Sequence, residues 1–232
     1  MQYTEKIVPA AFRRRPNRFI AVVEINGKET VVHVKNTGRC KELLVPGCTV
    51  YLAESGNPAR KTAYDLIAVE KIRTGRTPLL INMDSQAPNA AAAEWIRNSG
   101  LFAPDAVVRR EVVFGKSRFD FCIEDGDGLF FLEVKGCTLE QDGVASFPDA
   151  PTERGVKHLQ ELEARVAQGH RAGVLFVIQM KEVTSFRPND ETHPAFGAAL
   201  RHAAAGGVRI FAYDCLITPD TMTVDQSVPV KL

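Results

Sequence analysis

The chain has no apolar run long enough to cross a bilayer: stretches such as residues 172–180 fall well short of the ~20 residues a spanning helix needs, and no basic-then-apolar leader opens the sequence. A cytoplasmic protein without a membrane partner is expected. Cysteine is scarce and odd in number. Cys40, Cys48, Cys122, Cys137 and Cys215 contain no Cys-x-x-Cys pair, which argues against a disulfide framework and against a zinc cage, and leaves reduced, partly buried thiols. His33, His170, His193 and His202 lack metal-ligand spacing, and there is no phosphate-binding glycine loop, nucleophile elbow or dinucleotide fingerprint.

What remains is an ordinary globular composition, 45% hydrophobic and 25% charged, in a chain of 232 residues that is long enough for one large domain or two modest ones. The formal net charge of +1 conceals an asymmetry. Residues 1–78 carry 14 Lys+Arg against 7 Asp+Glu, which leaves 15 against 21 for the remainder. A basic half attracts polyanions, and a carboxylate-rich half attracts metal ions.

The basic half reads as short strands separated by turns: 18–25, then Asn26-Gly27 as a hairpin signal, 30–34, 48–53, 64–70 and 79–82. Five or so short strands in about eighty residues predict a small OB-like β-barrel, a fold that grips nucleic acid. Beyond Pro78 the texture changes. An alanine-rich helix is predicted over 89–99, strands over 111–114, 118–123 and 129–134, a helix over 152–168, a strand over 173–179, a helix over 193–205 and a strand over 208–213. Three antiparallel-compatible strands followed by a right-handed crossover make a mixed α/β sheet flanked by helices. The expected division is an OB-like domain over 1–82 and a second domain over 83–232.

The stretch SRFDFCIEDGDGLFFLEVKGCTL (117–139) sets Asp120, Glu133 and Lys135 into otherwise apolar strands. Side chains alternate along a strand, so Glu133 and Lys135 share a face, and Asp120 on the preceding strand can lie beside them. Carboxylate oxygens are the hard ligands Mg²⁺ or Mn²⁺ prefers, so Asp120 and Glu133 are the expected metal ligands. Lys135 would orient the attacking water or hold a phosphate oxygen. Glu94, on the preceding helix, is expected as a third acid. A plain ion pair at a solvated strand end is the alternative, but LFFLEV is too apolar for an edge position.

The set Glu94, Asp120, Glu133-Val134-Lys135 in the order helix, strand, strand resembles the PD-(D/E)xK nuclease fold, although Phe119 stands where the proline that names the fold would be. The chain also resembles the sugar fermentation stimulation protein family over nearly its whole length. The resemblance is carried by Arg18-Phe19-Ile20-Ala21, Lys35-Asn36-Thr37-Gly38-Arg39, Gly56-Asn57-Pro58-Ala59-Arg60-Lys61, Arg118-Phe119-Asp120-Phe121, Glu133-Val134-Lys135 and the run from Phe147-Pro148-Asp149 to Lys157-His158-Leu159. It implies an OB-like domain, a nuclease-like domain of PD-(D/E)xK type, and DNA binding with little sequence preference. A regulatory role in maltose metabolism without catalysis is the alternative that the same resemblance implies.

The residues add their own reading. Arg13, Arg14, Arg15, Arg18, Arg60 and Lys61 could track a nucleic-acid backbone, Asn36, Thr37 and Arg39 form a polar turn suited to a phosphate, and Phe12, Phe19 and Tyr64 are candidate stacking platforms. Arg154, Lys157 and His158, with Glu161, are spaced three or four apart as a polar ridge that could face the Asp120 and Glu133 cleft, with residues 147–151 as a lid or substrate wall. Single-stranded, duplex and branched DNA remain equally open as substrates, as do RNA as a target and a homodimer as the assembly.

Overall fold

The computed structural model describes residues 1–36, 38–115 and 117–232. Its first domain holds β1 (Ile7–Arg14), β2 (Ile20–Ile25), β3 (Lys28–Val34), β4 (Thr49–Glu54), β5 (Tyr64–Lys71) and β6 (Leu79–Asn82). The order β3-β2-β1-β4-β5-β6 is closed by a parallel β3–β5 pairing at His33↔Asp65 and Val34↔Leu66, so β1 to β5 form an OB barrel with β6 appended. Asn26 and Gly27 both take positive φ, 50° and 79°, as the expected tight hairpin turn requires. Inward-facing Val23, Val32, Val50, Leu52, Leu66 and Val69 fill the barrel.

The second domain runs α1 (Ala87–Asn98), β7 (Val107–Phe114), β8 (Ser117–Asp125), β9 (Gly128–Cys137), β10 (Leu139–Gln141), β11 (Val144–Phe147), α2 (Glu153–Ala167), β12 (Arg171–Ile178), β13 (Ser185–Pro188), α3 (Pro194–Ala205), β14 (Arg209–Ile217) and β15 (Met222–Ser227). Its main sheet has the order β15-β14-β12-β9-β8-β7. The β7, β8 and β9 strands are antiparallel neighbours, whereas β9, β12 and β14 run parallel with α2 and α3 in the connections, so the sheet is mixed, as expected. Helices cover both faces. Phe131, Val174 and Phe176 meet Leu159 and Leu162 of α2 and Phe196 of α3, and on the other face Phe130, Leu132 and Leu175 meet Ala91, Trp95 and Ile96 of α1. Each such large apolar side chain contributes about 1.5–3 kcal/mol by leaving water. The apolar β9 is therefore central and buried on both faces, which is what LFFLEV predicts.

Several elements were not expected. β1 contains Pro9, which argues against an interior strand, yet Pro9 lies in the half of β1 that pairs with β4, while β2 engages Ala11, Phe12 and Arg14; its missing N–H therefore costs no bond to β2. β10, β11 and β13 form a separate three-stranded sheet, and β15 adds an antiparallel edge.

The domains meet where β6 ends. Asn82 Nδ2 donates to the Tyr3 hydroxyl at 3.0 Å, Tyr3 donates to Asp84 Oδ2 at 3.2 Å, Gln179 Nε2 donates to Asn82 Oδ1 at 3.0 Å, and Lys35 Nζ lies 2.6 Å from Asp84. Lys71–Glu140 at 2.5 Å and Arg73–Glu182 at 2.7 Å cross the same junction. No helix among the described residues is long and apolar enough to cross a membrane.

Candidate active site

The antiparallel ladder between β8 and β9 ends at Phe121↔Leu132. One step further on, Asp120 lies level with Glu133, and the carboxylate of Asp120 takes over the ladder: Oδ2 accepts the Val134 N–H at 2.8 Å, and Oδ1 accepts from Asn89 Nδ2 of α1 at 3.1 Å. Opposite, on the facing strand β7, Glu111 has φ 52°, a left-handed conformation that is unusual for a residue with a side chain and that marks a local irregularity in the strand beside Asp120.

Glu133 is 3% exposed, so its charge requires compensation. Lys135 Nζ donates to Glu133 Oε1 at 2.7 Å, and His158 Nδ1 of α2 contacts the same oxygen. Arg154 Nε donates to His158 Nε2 at 3.1 Å, which fits a tautomer carrying its proton on Nδ1 and directing it at Glu133. Among the described residues Glu133 Oε2 has no hydrogen-bond partner.

The two acids differ. Burial pushes the Asp120 carboxyl up, the charge on Glu133 pushes it further, and together these outweigh the Val134 amide, Lys135 and Asn89. For Glu133, burial alone would also raise the pKa, but the His158 hydrogen bond and the Lys135 ammonium outweigh it and hold the carboxyl below the ordinary range. Two carboxylates close enough to repel, on a central sheet and with one oxygen unpartnered, are a donor set that suits a hard dication, which takes only one or two protein carboxylates and keeps water for the rest. Among the described residues no group of three or more Asp, Glu, His or Cys side chains is placed so that all could hold one metal ion.

Glu94 is not part of this cluster, contrary to the sequence expectation. Its half-exposed carboxylate lies 2.6 Å from the amino group of Met1. The reason is helical phase. Asn89 is the α1 residue that reaches Asp120, and Glu94, five residues on, is turned about 140° away at 3.6 residues per turn. Asn89, which sequence reasoning used only as a helix start, is the polar residue that α1 supplies. Of the expected ridge, His158 reaches Glu133 and Arg154 reaches only His158, whereas Lys157 is exposed and pairs with Glu161 at 3.6 Å.

The cations of the barrel fall into two groups. Arg13 pairs with Glu24, Arg14 with Glu29, and Arg60 grips Asp65 with both terminal nitrogens at 2.8 and 2.6 Å. Arg15 donates to the carbonyls of Arg18, Asn36, Gly38 and Arg39 at 2.6–2.8 Å, so it is an internal strut rather than a backbone contact, which corrects the expectation for it. Exposed Arg18, Arg39 and Lys61 have no ion-pair partner among the described residues, and Arg18 lies over the Phe19 ring at 4.8 Å. Phe19 is 45% exposed, in contrast to Phe12, which is core, and Tyr64, which packs against it. Asn36 Oδ1 accepts the Gly38 amide at 2.7 Å, and Thr37 lies outside the described residues.

Residues 147–151 divide their roles. The Phe147 ring packs between Phe176 and Phe196, while Asp149 faces the barrel against Gly38. Gly136, just after Lys135, has no room for a side chain: a Cβ there would come within 2.5 Å of Gln179 Oε1 and 2.7 Å of Pro88 Cγ. The five cysteines are free and buried, and burial pushes the Cys40 and Cys137 thiols up to about 12, so both stay protonated and neither is a nucleophile.

Comparison with known proteins covers both domains. The model of the SfsA N-terminal OB domain matches residues 14–76, and that of the sugar fermentation stimulation protein RE domain matches residues 86–221. A sugar fermentation stimulation protein homolog of Desulfitobacterium hafniense (strain Y51) is 54% identical over 232 residues, spanning all of this chain and 99% of the relative. One of Clostridium beijerinckii is 50% identical over the full length of both. Among solved structures, Pyrococcus furiosus SfsA, described in complex with Ca²⁺, superposes with a TM-score of 0.85 at 28% identity, covering the whole of both chains.

Proposed function

Starting from the fact that the chain belongs to the sugar fermentation stimulation protein family, we propose that it binds DNA with little sequence preference and hydrolyses phosphodiester bonds at a dication held by Asp120 and Glu133. The observation that carries this reading is the placement of half-buried Asp120 level with buried Glu133, where burial and then the Glu133 charge raise the Asp120 carboxyl. In the absence of a cation such a pair costs free energy and also repels a phosphate. A bound Mg²⁺ or Mn²⁺ would supply charge neutralisation at the phosphate and a water of lowered pKa. The solved relative named with Ca²⁺ supports a hard-cation site in the family fold.

The chain's own residues divide the work. Lys135 holds Glu133 in place and offers N–H donors that would orient the attacking water or hold a phosphate oxygen. His158, directed by Arg154, fixes the orientation of the Glu133 carboxylate, and Asn89 that of Asp120. Arg18, Arg39 and Lys61 draw the backbone of the nucleic acid, with Phe19 as a stacking surface.

The test is incubation with plasmid, single-stranded and branched DNA in Mg²⁺ or Mn²⁺, beside Asp120→Ala and Glu133→Ala. Cleavage is expected from the wild type and is expected to fall in both variants by more than the 10–100-fold that loss of an outer-shell partner costs. If all three proteins shift DNA equally and none cuts it, the chain is a non-catalytic DNA-binding factor instead.

A further inference from the structure

Beside the acids, where β9 leaves the sheet, a cleft of about 170 Å³ opens between the two domains. Gly136, Thr138, Ser146, Asp149 and Gln179 line it from the second domain and Asn36 and Gly38 from the barrel. Gln179 is 2% exposed and is held rigidly, its Nε2 donating to Asn82 Oδ1 and to the Asp84 carbonyl at 3.0 and 3.2 Å. Its other atom, Oε1, accepts no hydrogen bond among the described residues and points at Gly136, where only the missing side chain leaves space. A buried amide fixed through its nitrogen thus presents a bare carbonyl to the cleft, and the Asp149 carboxylate presents further acceptors. Both repel a phosphate and attract N–H donors.

A second cleft of about 410 Å³ adjoins this one, sharing Gly38, with Ala150 next to Asp149. Its character is opposite: Arg18, Arg39 and Lys41 lie around it. Nucleic acid has this same alternation, an anionic backbone with donor-bearing bases projecting from it.

We propose that the acceptor-lined cleft takes a single unstacked nucleobase carrying an exocyclic amino group, while the neighbouring cationic cleft holds the adjoining backbone. The substrate class is then nucleic acid with an unpaired nucleotide beside the scissile phosphate, either single strands or junctions that splay one out. This rests on the nucleic-acid reading above and narrows it. A paired base presents its amino group to its partner and stays in the stack, so an intact duplex fills the cleft only after unstacking, at a cost of a few kcal/mol.

The experiment uses a thymine single strand containing one 2-aminopurine, without metal. Thymine has no exocyclic amino group, so the purine is the base selected. At protein concentrations that saturate binding by fluorescence anisotropy, 2-aminopurine emission is expected to rise severalfold with wild type as the base leaves the stack. The rise is expected to be largely lost in Ser146→Phe, which fills the cleft, and in Asp149→Ala, an exposed position that leaves the fold intact. Anisotropy binding without a rise in emission, or an equal rise in all three proteins, overturns the inference and leaves DNA binding standing. If wild type gives no change in anisotropy, the DNA-binding reading fails and this inference with it.

Discussion

At the scale of single residues, the site holds two acids in opposite states of ease. Asp120 is raised by burial and by Glu133, so its ionised form is a cost in the folded protein without a cation. The sign follows: stability from a raised carboxyl is fully present below its unfolded pKa and is lost as pH rises through the folded one. Asp120→Asn removes that cost while keeping an oxygen for the Val134 amide. It is expected to stabilise the metal-free protein at pH 7.5 by on the order of 1 kcal/mol, read as a thermal midpoint higher by about 2–4 °C, with the gain vanishing near pH 3.5. An unchanged or lower midpoint at pH 7.5 would mean that Asp120 is not strained. The three residues Asp120, Glu133 and Lys135 were legible in the sequence because charge in an apolar strand is expensive and so conspicuous. Arg15 was not. A run of three arginines carries no mark of which guanidinium closes on four carbonyls and which faces water, since those partners arrive from Arg18 to Arg39 only once the barrel has formed.

At the scale of elements, α2 delivers His158 to Glu133, and its start is fixed by Thr152, whose Oγ1 accepts the Gly155 amide at 3.1 Å. Thr152→Ala is expected to cost about 1 kcal/mol, the usual value of such a cap. Because the first turn also carries Arg154, cleavage should fall more than folding does, and a midpoint shift without any loss of cleavage would separate the cap from the site. The long periodic elements α1, α2, α3, β9 and β12 were readable from hydrophobic spacing. The short β10, β11 and β13 were not, since three or four residues carry too little alternation to stand out, and their pairing of residues near 145 with residues near 186 is set by tertiary contact. For α1 the helix was legible but its phase was not: Trp95 and Ala91 fix the buried face, and that turns Glu94 away.

For the whole molecule, the texture of the sequence changes after Pro78, but nothing in the sequence announced that the junction between barrel and sheet is polar and buried. Lys71 and Glu140 meet there with side chains 15% and 7% exposed. Burial alone would raise Glu140, but the Lys71 hydrogen bond and the Gly143 amide outweigh it and lower its pKa, so its stabilising effect is present above the unfolded pKa and is lost as pH falls through the folded one. Lys71→Ala strands a buried carboxylate and is expected to destabilise by about 3 kcal/mol. Limited proteolysis should then cut between the domains at neutral pH, as it should in the wild type only in acid; equal resistance of the two proteins at both pH values would show the pair to be dispensable.

The lattice of Tyr3, Asn82, Asp84 and Gln179 has a mechanical consequence. On the nucleic-acid reading proposed above, a strand held by the first domain would reach the acids at an offset that these junction bonds set. Such a molecule would act as a gauge, its reach set by geometry.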